Sequence, residues 1–480
     1  MNMPIRPLTA TLADLPHVWP ESRLAAIQAK LPRAAKLVVL DDDPTGTQTV
    51  YDVPVLTTWT VDDLAAELAA PGPVFYILTN SRSLPLPAAQ ALNAEIGAHL
   101  AAAQAQTGRR AVVVSRSDST LRGHYPGEVD ALATALGLDD AATLIIPFFL
   151  EGGRYTIDNV HYVAEGDQLI PAAQTPFARD AAFGYRHSDL REWVAEKTGG
   201  RVAPEDVAAV TLDHLRRGGP ATVATTLSGL VAGQVAVVNA AHLRDLEVLV
   251  DALLDVEATG KQFVYRTAAS FVQIRVGLPT RPLLAAADLK LPPEGGGLFV
   301  VGSYVPKTTG QVTELLALPE IAPVEIAVPA LLDPARRAVE IARCRAAVDA
   351  ALAADRDTIV YTSRDLITGD DAAASLAIGQ QVSSAVVAIV AGLTQRPRYL
   401  VAKGGITSSD IATQALGIRR ALVLGQILPG VPVWQTAPRS GRPLGAESQA
   451  PGLPYIVFPG NVGGSDALVQ IAQRLARAQE

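Results

Sequence analysis

The chain has 480 residues, 49% of them apolar, which is too long for one ordinary core and sets two domains as the expectation. Its net charge is −8 with both signs scattered and no basic run, so a nucleic-acid partner is not expected. One cysteine, Cys344, sits in a helix-like Ala/Arg-rich stretch, which excludes a disulfide framework and speaks against a cysteine-based zinc site.

Met1 to Pro20 shows no charged segment followed by an apolar one, so no secretion signal is read and a cytoplasmic location is expected. Along the chain, short apolar runs read as buried strands at Leu37–Leu40, Val74–Thr79, Ala111–Ser115, Thr143–Pro147, Val235–Asn239 and Phe263–Arg266. A second series follows at Leu298–Ser303, Thr358–Thr362, Tyr399–Lys403, Ala421–Leu424 and Tyr455–Phe458. Stretches with helical periodicity lie between them, such as Pro87–Gln106, Leu243–Thr259, Pro334–Ala354 and Ser375–Leu393. Strands alternating with helices imply α/β units, each with a mostly parallel sheet flanked by helices. Ala372 to Gln395 is uncharged but too polar for a membrane span, and fits a buried, Ala-rich helix. Glu151 to Tyr185 breaks the pattern and reads as a ligand-facing insertion or a small antiparallel excursion. The best boundary is Gly277 to Gly297, which holds four prolines and three consecutive glycines just before a new strand.

Polar motifs follow the apolar runs abruptly. Asp41-Asp42-Asp43-Pro44-Thr45-Gly46 comes directly after the first, where a parallel sheet opens its ligand crevice. Clustered carboxylates position a hydroxyl, accept its proton or hold a divalent cation, and their mutual repulsion raises the pKa of at least one. The plain alternative is an Asp-rich turn capping the next helix. Thr79-Asn80-Ser81-Arg82-Ser83 and Ser115-Arg116-Ser117-Asp118-Ser119-Thr120-Leu121-Arg122-Gly123-His124 follow two further runs. Arginine forks bind carboxylates, and hydroxyls with an aspartate read sugar hydroxyls, although a surface loop could share this composition. His124 reads as a hydrogen-bonding wall residue rather than a metal ligand, and no metal site is assigned.

Glu151-Gly152-Gly153-Arg154, Thr175-Pro176-Phe177-Ala178-Arg179-Asp180 and Tyr265-Arg266-Thr267-Ala268-Ala269-Ser270 are polar loops with the same style and weaker individual signals. Gly302-Ser303-Tyr304-Val305-Pro306-Lys307-Thr308 is not a P-loop, because Pro306 stands where a glycine N–H would face phosphate. Lys403-Gly404-Gly405-Ile406-Thr407-Ser408 is the strongest motif of the second half: glycines let backbone approach a phosphate and Lys403 adds a point charge. The alternative is an ordinary strand–turn–helix joint. Pro459-Gly460-Asn461-Val462-Gly463-Gly464 repeats the theme after the last run.

These segments together resemble the four-carbon acid sugar kinase family. The resemblance rests on Asp42-Asp43-x-Thr45-Gly46, Asn80-Ser81-Arg82, Arg116-x-Asp118-Ser119-Thr120-Leu121-Arg122-Gly123, Gly153-Arg154 and Phe177-Ala178-Arg179-Asp180. It continues through Ser303, Lys403-Gly404-Gly405-x-Thr407 and Gly460-Asn461-x-Gly463, in the family's order and over nearly the whole chain. It departs from the family at Pro44, Thr47 and Gln48, and at Arg116 where a lysine is usual, and the chain is longer than the typical member.

The resemblance implies an N-terminal sugar-acid-binding domain over 1–280, a linker over 281–297 and a C-terminal nucleotide-binding domain over 298–480, facing each other across a cleft. It implies transfer of the ATP γ-phosphoryl group to a hydroxyl of a threonate-, erythronate- or oxo-tetronate-type acid, with Mg²⁺ bridging the ATP phosphates. Asp43, with Asp42 as fallback, is expected to take the hydroxyl proton. Arg82, Arg116 and Arg122 are expected to hold the acid, and Asp118, Ser119 and Thr120 to fix its stereochemistry. Thr45, Gly46, Asn80, Gly123, Arg154 and Arg179 complete the expected substrate set. Ser303, Lys403, Gly404, Gly405, Ile406, Thr407, Gly460, Asn461 and Gly463 are the expected nucleotide set. The expected partners are the sugar acid and ATP, without membrane or nucleic acid, and a homo-oligomer is compatible. Two other classes fit the residues: a metal-assisted isomerase or dehydratase of sugar acids, separated by ATP consumption, and a non-catalytic binding protein, separated by ADP release.

Overall fold

The structure, a computed structural model, describes residues 3–302, 306–364, 367, 372–436, 452–460 and 462–477. The chain divides into two compact units, Met1–Val50 with Thr58–Thr280, and Tyr51–Thr57 with Arg281–Glu480.

The main sheet of the first unit is built from seven parallel strands. Their order is Ala208–Val210, Val235–Val238, Ala142–Ile146, Phe263–Thr267, Ala111–Arg116, Lys36–Asp41 and Val74–Leu78. Such strands are covered on both faces, which is why Val74–Leu78 and Phe263–Thr267 are buried at every position. Lys36–Asp41, the first of them in the chain, lies between Val74–Leu78 and Ala111–Arg116. The chain therefore leaves it on one side and crosses back to the other, which opens a crevice at the carboxyl ends. Register aligns those ends: Asp41 is level with Leu78 and Arg116, and Arg116 with Thr267. The polar motifs begin at one height for that reason.

The irregular stretch is the antiparallel alternative. Arg154–Ile157, Val160–Glu165 and Gln168–Pro171 form a meander, extended by Arg6–Pro7 into a four-stranded sheet.

In the second unit the parallel strands run in the order Pro454–Phe458, Leu400–Lys403, Leu298–Val301, Thr358–Thr362 and Ala322–Ile326. Antiparallel strands Val431–Thr436, Arg420–Leu428 and Val53–Leu56 extend the Pro454–Phe458 side. Val53–Leu56 comes from the N-terminal half of the sequence yet pairs with Arg420–Leu428. The helix Ala372–Ala391 buries a stripe at Ala385, Val386, Ile389 and Val390 and exposes Gln380, Gln381 and Ser384, so it is half-buried rather than buried. Cys344 is buried on the helix Arg337–Ala353. Among the described residues, no helix is long and apolar enough to cross a membrane.

Residues 281–297 are not a free linker. Leu284 and Leu289 are 2% and 1% exposed within the core of the second unit, and the Leu284 N–H donates to the Gln426 carbonyl at 2.7 Å. The prolines and glycines there shape a packed segment. Leu284→Ala is expected to lower the unfolding free energy by about 2–5 kcal/mol, as for a filled core position. Urea denaturation reads this, and a change within about 0.5 kcal/mol would mark a surface linker instead.

Candidate functional site

At the end of Lys36–Asp41 three consecutive aspartates diverge. Asp41 is buried and pairs with the buried Arg116 at 3.3 Å. Burial pushes its pKa up to about 8, against the pull of Arg116. Asp43 pairs with Arg82 and accepts from the Thr45 N–H at 2.8 Å. Burial would raise its pKa, but Arg82 and the Thr45 bonds overcome that and hold it below the usual range. Asp42 is 3% exposed and neither of its carboxylate oxygens has a hydrogen-bond partner. Its pKa is raised, chiefly by burial, with Arg82 and Arg116 opposing. Among the described residues no three His, Cys, Asp or Glu side chains converge as a metal site.

Backbone bonds lock these ends together. The Asp42 N–H donates to the Arg116 carbonyl, the Thr79 N–H to the Asp41 carbonyl, and the Ser117 N–H to the Thr267 carbonyl. Asn80 adopts a left-handed φ of 49° and its side chain donates to Ser83. Gly123, at φ +114°, lets the loop turn where a Cβ would lie 3.2 Å from Asp42 Oδ2.

From Asp43 the charges alternate in a chain. Arg82 pairs with Asp43 and, at 3.5 Å, with Asp118. Arg122 pairs with Asp118 at 2.8 Å and with Asp180 at 3.5 Å. Thr120 also donates to Asp118. Burial would raise the Asp118 pKa, but Arg122 and Arg82 hold it well below the carboxylate range. Arg122 and Arg154 both lie over the Phe177 ring, at 5.2 and 5.6 Å from its centre. Arg179, on the same turn, is exposed and joins no ion pair among the described residues.

The meander supports this loop. His161, fully buried, contacts the Ser119 carbonyl through Nε2 at 2.8 Å and Thr156 through Nδ1 at 3.0 Å, and burial lowers its pKa to about 4. The Tyr185 hydroxyl donates to the Thr120 carbonyl at 2.8 Å. Buried Arg266 donates to the Arg122 carbonyl and stacks on Trp193. Glu128 is buried nearby, with a pKa pushed up to about 7 by burial and by Asp42. None of these four was among the expected site residues. Arg266 ends an apolar run, the same signal as Arg116, whereas His161, Tyr185 and Glu128 lie in stretches without one. His124 contacts the Leu84 carbonyl at 2.9 Å, a wall role.

In the second unit, the ends of Leu298–Val301, Leu400–Lys403 and Pro454–Phe458 bring Gly302, Lys403–Thr407, Pro459, Gly460 and Gly463 together. A Cβ on Gly302 would lie 2.6 Å from Thr407 Oγ1. Gly404, at φ +116°, turns the chain and donates to the Phe458 carbonyl at 2.8 Å. Gly405 opens the helix Gly405–Asp410, and Ile406 beside it is 60% exposed. Lys403 is fully buried over the Phe458 ring, and its Nζ donates to the carbonyls of Pro459 and Gly460 at 2.6 and 3.1 Å. It ties two turns together rather than standing as a bare point charge. Gln311, from the helix Pro306–Leu316, donates to the Val462 and Gly464 carbonyls, and Thr308 donates to that of Gly460. These two side chains lay outside the expected set. Ser303 and Asn461 lie outside the described residues.

Comparison with known proteins gives two family matches. Residues 37–275 match a sugar-binding N-terminal domain and residues 298–468 a nucleotide-binding C-terminal domain. The chain is 30% identical over 247 residues to D-erythronate kinase of Heliobacterium modesticaldum, covering 50% of this chain and about half, 51%, of that protein. It is 29% identical to 3-oxo-tetronate kinase of Methylobacterium radiotolerans over 74% of this chain and 78% of that one. The fold is shared with a Haemophilus influenzae protein of the DUF1537 family at TM-score 0.61 and 19% identity, over 92% of this chain and all of that one.

Two expectations follow from the geometry. A Cβ at Gly46 would lie 2.0 Å from both Asp41 oxygens. Gly46→Ala should lower the thermal midpoint, and its effect should shrink strongly in an Asp41→Ala background; additive effects would show the two are uncoupled. Burial, with Lys307 adding to it, lowers the Lys403 pKa to about 7. Between about pH 7 and pH 10.4 the unfolded lysine holds a proton that the folded one has lost, so stability from this group rises with pH. The wild type should therefore gain stability relative to Lys403→Met over that window, measured by urea midpoints, and a pH-independent difference would contradict it.

Proposed function

The chain belongs to the four-carbon acid sugar kinase family, and on that basis we propose that it transfers the γ-phosphoryl group of ATP to a hydroxyl of a four-carbon sugar acid. The observation that carries the mechanism is Asp42: a buried carboxylate with two unpartnered oxygens beside a network that pairs its neighbours.

In this reading Asp42 accepts the proton of the attacking hydroxyl. The freed oxygen forms a bond to the γ-phosphorus, the bond to the β–γ bridging oxygen breaks, and ADP leaves with that electron pair. Asp43 is the weaker base, since Arg82 and Thr45 already hold its charge. Its role is to fix Arg82. Asp118, Ser119 and Thr120 line the acceptor's side with hydroxyl and carboxylate groups, and the supports His161 and Tyr185 keep their backbone in place. The turns at 404–407, at 459–460 and at 462–463 supply backbone to the ATP phosphates. Mg²⁺ carried with the ATP would supply charge neutralisation at those phosphates. Phosphoryl transfer depends on such positioning more than on covalent chemistry. A cytoplasmic location goes with small, charged substrates of this kind.

The test is ADP release with a panel of tetronates; no release with any of them overturns the kinase reading. Asp42→Asn is expected to lower turnover by ~10²–10⁴-fold. Because Asp42 must be ionised, the wild-type rate should rise with pH through a pKa above the ordinary ~3.9. Asp42→Asn should lose that limb, while Asp43→Asn should slow the reaction and keep it. The reverse pattern would return the base to Asp43.

A further inference from the structure

Arg122 and Arg154 share one aromatic ring, yet only Arg122 is neutralised. Arg122 has Asp118 and Asp180. Arg154, at the start of the Arg154–Ile157 strand, joins no ion pair among the described residues, and its buried Nε has no hydrogen-bond partner. Burial lowers its pKa, Asp118 pulls the other way, and the neighbouring Arg122 lowers it further. Asp118 acts on both guanidinium groups but hydrogen-bonds Arg122, which leaves Arg154 without a paired anion of its own among the described residues. A buried donor without a partner carries a desolvation cost that a ligand would remove.

We propose that Arg154 is the carboxylate-binding residue of the acceptor site, with Phe177 as the platform that holds its guanidinium plane and Arg122 as its neighbour. The guanidinium fork matches a carboxylate in two parallel hydrogen bonds. The ring of Phe177 fixes the plane by cation–π contact at little cost in side-chain freedom. Asp118 and Asp180 stand beside Arg122 and disfavour a dianion, so a singly charged carboxylate suits the site better than a phosphate. Arg82 and Arg116, expected to bind the acid, are each already joined to an aspartate. Arg154 thus decides that the acceptor is an acid rather than a polyol. The inference rests on the kinase reading for the identity of the acid but not for the presence of a carboxylate.

The experiment uses the full chain with D-erythronate and D-threonate, and with the matching polyols erythritol and threitol. Arg154→Gln should raise the KM for the acids roughly 10- to 100-fold, the loss of charge-assisted hydrogen bonds, with kcat changed less than about threefold. The polyol KM should stay the same. Arg154→Lys should recover part of the acid preference, and a folded Arg154→Lys keeps the question decidable should Arg154→Gln fail to fold. Equal changes for acid and polyol, or an unchanged acid KM, overturn the proposal. Thermal shift without ATP is the independent arm: the acids should stabilise the wild type more than the polyols do, and Arg154→Gln should erase that difference. If no acid is phosphorylated, the kinase reading falls while this arm still decides the carboxylate site. Greater stabilisation by inorganic phosphate than by either acid overturns the carboxylate assignment.

Discussion

The first unit depends on one run of alternating charge: Asp43, Arg82, Asp118, Arg122, Asp180. Its members come from a strand end, two loops after other strands, and a turn beyond the meander. Partly buried charges are costly unless each meets its opposite, so these pieces hold a common register or leave an unpaired ion behind. The same pairing sorts the polar residues. Arginines and aspartates within the run have their bonds made. Asp42 and Arg154 beside it do not, and those are the groups to which chemistry and recognition are assigned.

Much of this was legible in the residue order. Apolar runs such as Val74–Leu78 and Leu400–Lys403 are buried on both faces and announce themselves. The polar motif after each run marks the carboxyl end of a parallel strand. Val53–Leu56 escaped because it is four residues long, contains Pro54 and pairs with a strand more than 360 positions away. The segment 281–297 escaped because prolines and glycines hide the two leucines that pack it. Within the site, the three aspartates are indistinguishable as letters. Only the placement of Arg116 and Arg82 shows which carboxylates are taken. His161 and Gln311 act through backbone carbonyls of distant loops, a contact that no local pattern encodes.

The second unit relies on a different device. Among the described residues Lys403 is buried without a carboxylate partner and instead donates to two carbonyls of the neighbouring turn. Gln311 and Thr308 bind the same turn from the helix Pro306–Leu316. Three side chains thereby fix the carbonyls of Pro459, Gly460, Val462 and Gly464. Turns fixed in this way need few charged side chains of their own, which is why this half showed glycines rather than arginines in its motifs.

Arg82, Arg116 and Arg122 are immobilised by aspartates before any ligand arrives. A free arginine side chain carries about 2 kcal/mol of rotamer entropy. Here that freedom is lost when the chain folds. The three arginines are therefore a rigid wall beside Arg154, and they add little disorder for any molecule docking there to overcome.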